Sequence, residues 1–373
     1  MEGSGEVTTA QIIMAYTEEE TSLRNSLRHA LSERCSAREI VNLYDGDQSA
    51  EFAAWEVMRD LGLVGLLIDE RHGGASGGLT DAGVVLEELG YAAAPAPFLA
   101  SSVVAANILA SVGHGESLQR LADGEIAVLL LPVDEMELDE DLPIRLEAGS
   151  LCGSVTTVLG AAQADMFLVP VRSPSGASLH LVESRARGVT VHRIPALDMT
   201  RALADVNLSG AAGKCLSPDC GAAIDRALTL GAALAASDQL GGAQWCIDQL
   251  LDYLCSRRQF GRLIGSFQAV KHRMADLWVE VELMRTAARN AAVAGVGAED
   301  EFATAAALAQ SFSSDAAVHI AEETIQLHAG IAMTWEHPAH LYLKRAKASQ
   351  VAFGRPGKYR KILGDLIDVP SVW

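Results

Sequence analysis

Apolar residues at helical spacing run through the first third of the chain. Thr17-Glu18-Glu19-Glu20 is a capping-box pattern, in which Thr17 caps a helix and Glu20 reaches back to it. Leu23, Leu27 and Leu31 then place one apolar face on this helix. Three further helices are predicted by the same spacing: one with Trp55, Met58 and Leu61 to Leu63, one from Thr80 through Leu89, and one from Leu99 to Leu109 after the break at Pro95-Ala96-Pro97.

Around Asp123-Gly124 the pattern changes to short apolar runs separated by turn residues, which is typical of β-strands. Ser173-Pro174-Ser175-Gly176 separates two of these runs and predicts a hairpin. The acidic stretch from Asp134 to Asp141 is interpreted as a solvated loop. The predicted strands are Ile126–Val133, Met166–Val171, Leu179–Val182, Val189–Ile194 and Val206–Leu208.

From Cys220 the helical spacing returns. Residues 222–255 form a long, mostly uncharged run that predicts a helix buried on several sides, and Ala303 to Ala321 is Ala-rich. Val270, Met274, Leu277, Val281 and Met284 make one apolar stripe. We therefore predict three units: an N-terminal α-helical domain over 1–121, a middle β domain over 122–214 and a C-terminal α-helical bundle over 215–373.

Composition and charge narrow the class of protein. The 373 residues include 48 Asp and Glu against 29 Lys and Arg, a net charge of −19, which disfavours nucleic acid and anionic membranes as partners. No apolar run reaches the roughly 20 residues of a membrane span. Met1 to Glu6 lacks the basic start of a signal peptide, so we expect a cytoplasmic protein whose six cysteines are buried thiols.

Generic sequence motifs indicate few candidate catalytic or ligand-binding sites. The glycines at 73–78 lie outside a βαβ unit, so a connecting loop is favoured over a dinucleotide site. His328, His337 and His340 are not joined by a cysteine or carboxylate pattern, so no metal site is predicted. Arg257-Arg258-Gln259-Phe260-Gly261, followed by Gln268 at a new helix start, forms a candidate anion cradle, with a surface loop as the alternative.

Several motifs together resemble one family. Leu61 to Leu66, Gly73-Gly74, Glu87-Glu88-Leu89-Gly90 and Pro95-Ala96-Pro97-Phe98 are similar to the N-terminal domain of acyl-CoA dehydrogenases. Arg257 to Gly261 with Phe267-Gln268-Ala269-Val270, and Gln326-Leu327-His328-Ala329-Gly330 followed by Glu336-His337-Pro338, are similar to its C-terminal domain.

The resemblance implies the fold of that family: a helical domain, a middle β-barrel or sandwich, and a four-helix bundle that builds a tetramer. It also implies FAD and the α,β-dehydrogenation of an acyl-CoA thioester, in which a carboxylate removes the α-proton and hydride goes to the flavin. Electron-transfer flavoprotein is the acceptor that the resemblance implies.

The sequence departs from the family at the base and at the flavin-ring contacts. Counting on from Pro338 puts the usual catalytic glutamate at Phe353, and the family's alternative position falls near Gly231, so no catalytic residue is assigned. The loop that lines the flavin ring is replaced by Pro132 to Met136. The Trp-Ile-Thr/Ser tripeptide behind the ring is absent from Thr156 to Gly160.

What remains are residues that in this family contact the ADP half of the FAD bound mainly by a neighbouring subunit. They are Arg257, Phe260, Gln268, Gln326, Ala329 and Gly330. This pattern resembles the non-catalytic subunit of actinobacterial α2β2 acyl-CoA dehydrogenases that act on steroid side chains. The implied partner is a homologous catalytic subunit that shares one FAD with this chain.

Two other hypotheses remain open. One is a self-sufficient dehydrogenase with a displaced base, either Glu336 or Glu323. The other is a flavin-free scaffold in which Arg257 is only a surface charge and Phe260 is a core side chain.

Overall fold

The computed structural model describes residues 15–44, 46, 51–138, 141–174 and 176–366. The interpretation of Met1 to Glu6, and parts of two predicted loops at Asp139, Glu140 and Ser175, lie outside the described residues.

The N-terminal region is helical, as its spacing predicts. Helix α1 begins with the predicted capping box: the Thr17 hydroxyl accepts from the Glu20 amide at 3.1 Å, and the Glu20 carboxylate accepts from the Thr17 amide at 2.9 Å. The helices of this region are α1 Glu18–Arg34, α2 Ala37–Tyr44, α3 Ala53–Asp60, α4 Leu79–Tyr91, α5 Ala106–Ser111 and α6 Gly115–Ala122.

Two helix predictions need correction here. Helix α3 ends at Asp60, and Leu61 is exposed rather than part of the buried stripe. The segment Leu99–Ala105 is a π-helix, with regular α-helix only from Ala106. It is buried on all sides, so its apolar spacing cannot distinguish the two helix types.

The middle region contains two four-stranded sheets. The first has the order β1-β4-β5-β8, in which β1 and β4 are parallel and the other pairs antiparallel; the second has the order β2-β3-β7-β6 and is antiparallel throughout. The strands are β1 Ala127–Leu129, β2 Arg145–Glu147, β3 Ser150–Val158, β4 Met166–Ser173, β5 Gly176–Glu183, β6 Val189–Arg193, β7 Ala204–Ala211 and β8 Lys214–Ser217.

All five predicted strands exist, and the predicted hairpin is confirmed by the pairing of Ser173 with Gly176. Strand β1 is shorter than the apolar run that predicted it. The sequence analysis missed β2, β3 and β8, because no side chain of β2 or β8 is buried and β3 has Gly153 and polar residues between its buried positions. The described part of the acidic stretch is a loop, as predicted.

The C-terminal region returns to helix. Its elements are α7 Gly221–Ser256, the short strands β9 Arg258–Gln259 and β10 Arg262–Leu263, α8 Gln268–Ala294, α9 Glu299–His328, α10 Ala339–Ser349 and α11 Pro356–Leu366. Helix α7 is buried along most of its length and packs on α4, α8 and α9. The buried side chains of all three regions form one continuous cluster.

Two properties of the whole chain follow from these elements. No helix within the described ranges is long and apolar enough to cross a membrane. The expectation of buried cysteines is wrong for Cys215 and Cys255, which are exposed, while Cys35, Cys220 and Cys246 are buried.

Candidate functional site

The six residues assigned to the cofactor lie at the ends of three helices of the bundle. Arg257 is the C-cap of α7, and Gln268 is the first residue of α8. Gln326 lies in the last turn of α9, and Ala329 and Gly330 follow that helix. Tyr253 of α7 stacks on His328 of α9 with ring centroids 4.6 Å apart, so these two helix ends meet. We call these six residues the bundle-end surface; all of them are exposed.

A two-residue hairpin connects α7 to α8. Phe260 and Gly261 form the turn between β9 and β10. Both have positive φ, 53° and 77°, which is common at the two central residues of a tight hairpin turn. Phe260 is 88% exposed, so the interpretation of Phe260 as a core residue is wrong. The connection then folds back on α7, because a Cβ on Gly265 would stand 2.8 Å from the carbonyl oxygen of Leu254.

The start of α8 favours an anion. Its N-cap residue, Phe267, makes no side-chain capping bond, and the first turn holds no acidic residue. Amide groups at such a helix start carry partial positive charge. The exposed residues Arg257 and Arg258, at the C-cap of α7 and in β9, belong to the segment that connects α7 to α8. This arrangement can bind the diphosphate of a dinucleotide.

A second group of residues surrounds a cleft between the β region and the bundle. The cavity there measures about 30 Å³, which is room for one or two water molecules. Its walls come from the π-helix, from the loop after β1, from α7 and from the loop before α11; they include Val104, Val133, Leu159, Leu228 and Phe353.

Phe353 forms part of the wall of this cleft. The side chain is buried, and its backbone amide donates to the carbonyl of Val133 at 2.8 Å. A Cβ built on Gly231 would stand 2.6 Å from the Phe353 ring, so the two positions that the sequence analysis associated with the missing base lie side by side. Met136 packs on Gly354 so closely that a Cβ there would overlap its side chain. The loop after β1 also contributes Pro132, Val133 and Glu135 to the walls of the cleft.

The candidate displaced bases lie elsewhere. Glu336 is exposed, and Glu323 accepts from Arg273 Nε at 2.6 Å; neither lines the cleft. The carboxylate that does line it is Glu135, which the sequence analysis missed as a candidate. Its place in the loop where the family lines its flavin ring was the available signal.

A buried ion-pair network lies beside the cleft. Asp238 of α7 pairs with Arg345 of α10 and accepts from Arg201 Nη2 at 2.7 Å. Burial would raise the pKa of Asp238, but the guanidiniums of Arg345 and Arg201 hold that pKa below its ordinary value. Arg345 also donates to the Thr200 hydroxyl at 2.7 Å, which ties the loop before β7 to the bundle.

Within the part of the chain that the structure describes, no group of three His, Cys, Asp or Glu residues could hold a metal ion.

Known proteins are similar to this chain in sequence. Residues 17–125 match the family model of the acyl-CoA dehydrogenase N-terminal domain, and residues 221–365 match that of the C-terminal domain. Acyl-CoA dehydrogenase IpdE2 of Mycolicibacterium smegmatis is 35% identical over 341 residues, covering 91% of this chain and 96% of the relative. Acyl-CoA dehydrogenase FadE34 of Mycobacterium tuberculosis is 30% identical over 93% of this chain and 48% of its own length.

Solved structures are also similar to this chain in fold. A chain of a variant of the Tcur3481-Tcur3483 steroid ACAD superposes with a TM-score of 0.83 at 28% identity, covering 94% of this chain and 98% of that one. A chain of the ChsE4-ChsE5 complex from Mycobacterium tuberculosis gives a TM-score of 0.84 at 26% identity, covering 96% and 100%.

Proposed function

The chain belongs to the acyl-CoA dehydrogenase family, and from that premise we propose that it is the non-catalytic subunit of a heteromeric FAD-dependent acyl-CoA dehydrogenase. The complex desaturates an acyl-CoA thioester between its α and β carbons. A homologous catalytic subunit supplies the base and holds most of the FAD. This chain supplies contacts to the ADP half of that FAD from the bundle-end surface.

The small volume of the cleft is the observation that carries this proposal. Cofactor pockets commonly measure about 300–1,000 Å³. The cleft of this chain measures only about 30 Å³, and Phe353 is one of its lining residues. A flavin ring does not fit there, and no step of the reaction is assigned to this cleft.

The bundle-end surface does fit the ADP half of FAD. Arg257 would bind the diphosphate, the uncapped start of α8 at Gln268 would add partial positive charge, and Phe260 offers an exposed aromatic face. When bound, FAD supplies the hydride acceptor of the reaction. Because all six residues are exposed on this chain, they are available to a cofactor held by a partner.

Other exposed residues support a partner subunit. Trp278, Val279 and Leu283 are 47%, 55% and 51% exposed at helical spacing on α8, and such apolar faces mark interaction sites. One similar structure is a complex of two named proteins, ChsE4 and ChsE5. FadE34 is about twice as long as the segment that matches this chain, which leaves room for a second unit of similar size.

For the substrate we propose the CoA thioester of a steroid side chain. The support is the similarity to a structure described as a steroid ACAD. Electron-transfer flavoprotein is the proposed electron acceptor.

The flavin content of the assembled enzyme tests the proposal. The chain is co-purified with its catalytic partner, and flavin absorbance is divided by the concentration of protein chains. We expect one FAD for each pair of unlike chains, hence two in an α2β2 tetramer. A ratio near one FAD for every chain would contradict the proposal, as would a yellow, active homotetramer of this chain alone.

A further inference from the structure

A groove much larger than the cleft runs between α1, α4 and α7. It consists of two adjoining cavities, of 340 Å³ and 210 Å³, which share Arg28, Glu88 and Tyr91 as lining residues. Together they fall within the range of about 300–1,000 Å³ that is usual for small-molecule sites. The chemistry proposed above uses none of these residues.

The floor of the groove is preformed. Helices α4 and α7 cross at backbone contact, since a Cβ on Gly90 would overlap the Asp238 carbonyl oxygen and one on Gly241 would overlap that of Glu87. Side chains cannot enter between the two helices there. Helix α1 packs on α3 and α4, so its arginines span the open space toward α7.

One end of the groove is polar and its charges are balanced. Arg28 donates to Glu88 through Nε at 2.6 Å and Nη2 at 2.9 Å, and Arg24 pairs with Glu87. The Tyr91 hydroxyl donates to Asp248 at 3.0 Å. Since the three arginines and three carboxylates lining this cavity offset each other, a ligand placed here need not carry a charge.

Arg28 has an unused donor at the polar end of the groove. A guanidinium carries five N–H donors, and the Arg28 guanidinium lies 4.0 Å from the centroid of the Tyr91 ring. Its Nη1 donates to no residue within the described ranges. A hydroxyl or carbonyl oxygen of a bound molecule can accept from this nitrogen.

The other end of the groove is apolar and aromatic. Leu31, Cys35 and Ala92 line it, together with Trp245, whose ring stacks on Tyr342 at 3.7 Å between centroids. Burial raises the pKa of the Cys35 thiol to about 12, so this wall is uncharged at neutral pH. Flat aromatic walls of this kind suit a ring-shaped apolar body.

We propose that the groove between α1, α4 and α7 binds an uncharged amphipathic molecule, with a fused-ring body against Trp245 and a hydroxyl or carbonyl group at Arg28. The site is separate from the bundle-end surface and from the cleft, and it holds whether or not this chain is catalytic.

Calorimetric titration with 2-naphthol and 2-naphthoate tests the site, using the chain in whatever complex it is purified in. The two probes share a fused-ring body and differ in charge at neutral pH. We expect saturable binding of 2-naphthol with a Kd of roughly 0.1–1 mM, given its small number of atoms. 2-Naphthoate should bind at least about tenfold more weakly, because its carboxylate would add unbalanced negative charge.

Three variants locate the binding. Ala92→Leu fills the apolar end and should remove saturable binding, while Arg28→Met keeps the apolar stem, loses the donor and should weaken 2-naphthol about tenfold. Arg34→Met, on α1 but outside the groove, should bind as the unmodified chain does. No saturable binding, equal binding by Ala92→Leu, or tighter binding of 2-naphthoate would each overturn the proposal. Flavin content is not measured, so failure here leaves the shared-flavin proposal unaffected.

Discussion

Ala329 holds a backbone conformation that its side chain disfavours. With φ 55° and ψ −139° it lies in a region adopted mainly by glycine, directly after the last residue of α9. Strain of this kind clusters at functional sites. Its position between Gln326 and Gly330 places the strained residue in the middle of the bundle-end surface.

Replacing Ala329 by glycine should therefore stabilise the protein. Relief of about 1–3 kcal/mol of strain exceeds the entropic cost of about 0.5–1 kcal/mol for a new glycine, leaving a net gain of about 1 kcal/mol. Urea denaturation measures the change. The control is Ala269→Gly in the first turn of α8, which should destabilise by up to about 1 kcal/mol. Destabilisation by both variants would show that Ala329 is not strained.

We expect Arg257 to contribute to the affinity of the assembled complex for FAD. Because the chain is strongly acidic, a diphosphate needs local cations, and a guanidinium matches phosphate oxygens with forked donors. Arg257→Ala should weaken FAD binding by roughly ten- to a hundredfold in the assembled complex, and Arg257→Lys should restore part of that loss. Flavin-release titration measures it, with gel filtration to check assembly. Unchanged affinity in an intact complex would favour the flavin-free scaffold.

At the scale of elements, the network around Asp238 joins α7 to α10 and to the loop before β7. A carboxylate whose folded-state pKa is lowered stabilises the fold above its unfolded pKa of about 3.9, and this contribution is lost as pH falls through the lower folded value. We expect the unmodified protein to lose stability below about pH 4.

Asp238→Asn tests the network. The buried Arg345 would lose its paired carboxylate and Arg201 would keep only Asp198, at 3.4 Å, so the free energy of unfolding at pH 7 should fall by about 3–5 kcal/mol. The variant should also show a flatter loss of stability between pH 4 and pH 2, because the titrating group is gone. Thermal unfolding across that pH range measures both effects. An acid profile parallel to that of the unmodified protein would assign the pH dependence to other carboxylates.

The elements that the sequence predicts best are those with local signals. The capping box at Thr17 and the apolar spacing of Leu27 and Leu31 are set by neighbours along the chain, and α1 begins where they indicate. Strand β3 is different, since its stability comes from pairing with β7, more than 40 residues away. Such pairing leaves a weak local pattern when Gly153 interrupts the strand.

In the candidate site, too, features set by neighbours along the chain are predictable and features set by the tertiary fold are not. The sequence is enough to suggest a cradle at Arg257 and Gln268, because a helix end and a helix start follow each other closely. The exposure of Phe260 is set by a tight turn, which composition does not reveal. The contact of Phe353 with Gly231 depends on the tertiary fold alone, so sequence identifies both positions as lacking a base without showing that they meet.

At the scale of the whole molecule, the question is which chain supplies the base. Glu135 lines the cleft, while Glu336 is exposed and Glu323 is paired with Arg273. If the partner removes the α-proton, none of these carboxylates takes part in the chemistry. Changing each to glutamine removes the charge and keeps the shape.

We therefore expect Glu135→Gln, Glu323→Gln and Glu336→Gln, made one at a time, to leave turnover of the reconstituted complex within about threefold of normal. Loss of a true general base costs about 10²–10⁴-fold, so the two outcomes are well separated. Turnover is measured with flavin content and assembly checked for each variant, since Glu323→Gln also removes an ion pair with Arg273. A hundredfold loss in one variant, with flavin and assembly unchanged, would identify that carboxylate as the base and make this chain catalytic. Because Glu135 lines the cleft, its variant is the most demanding of the three tests.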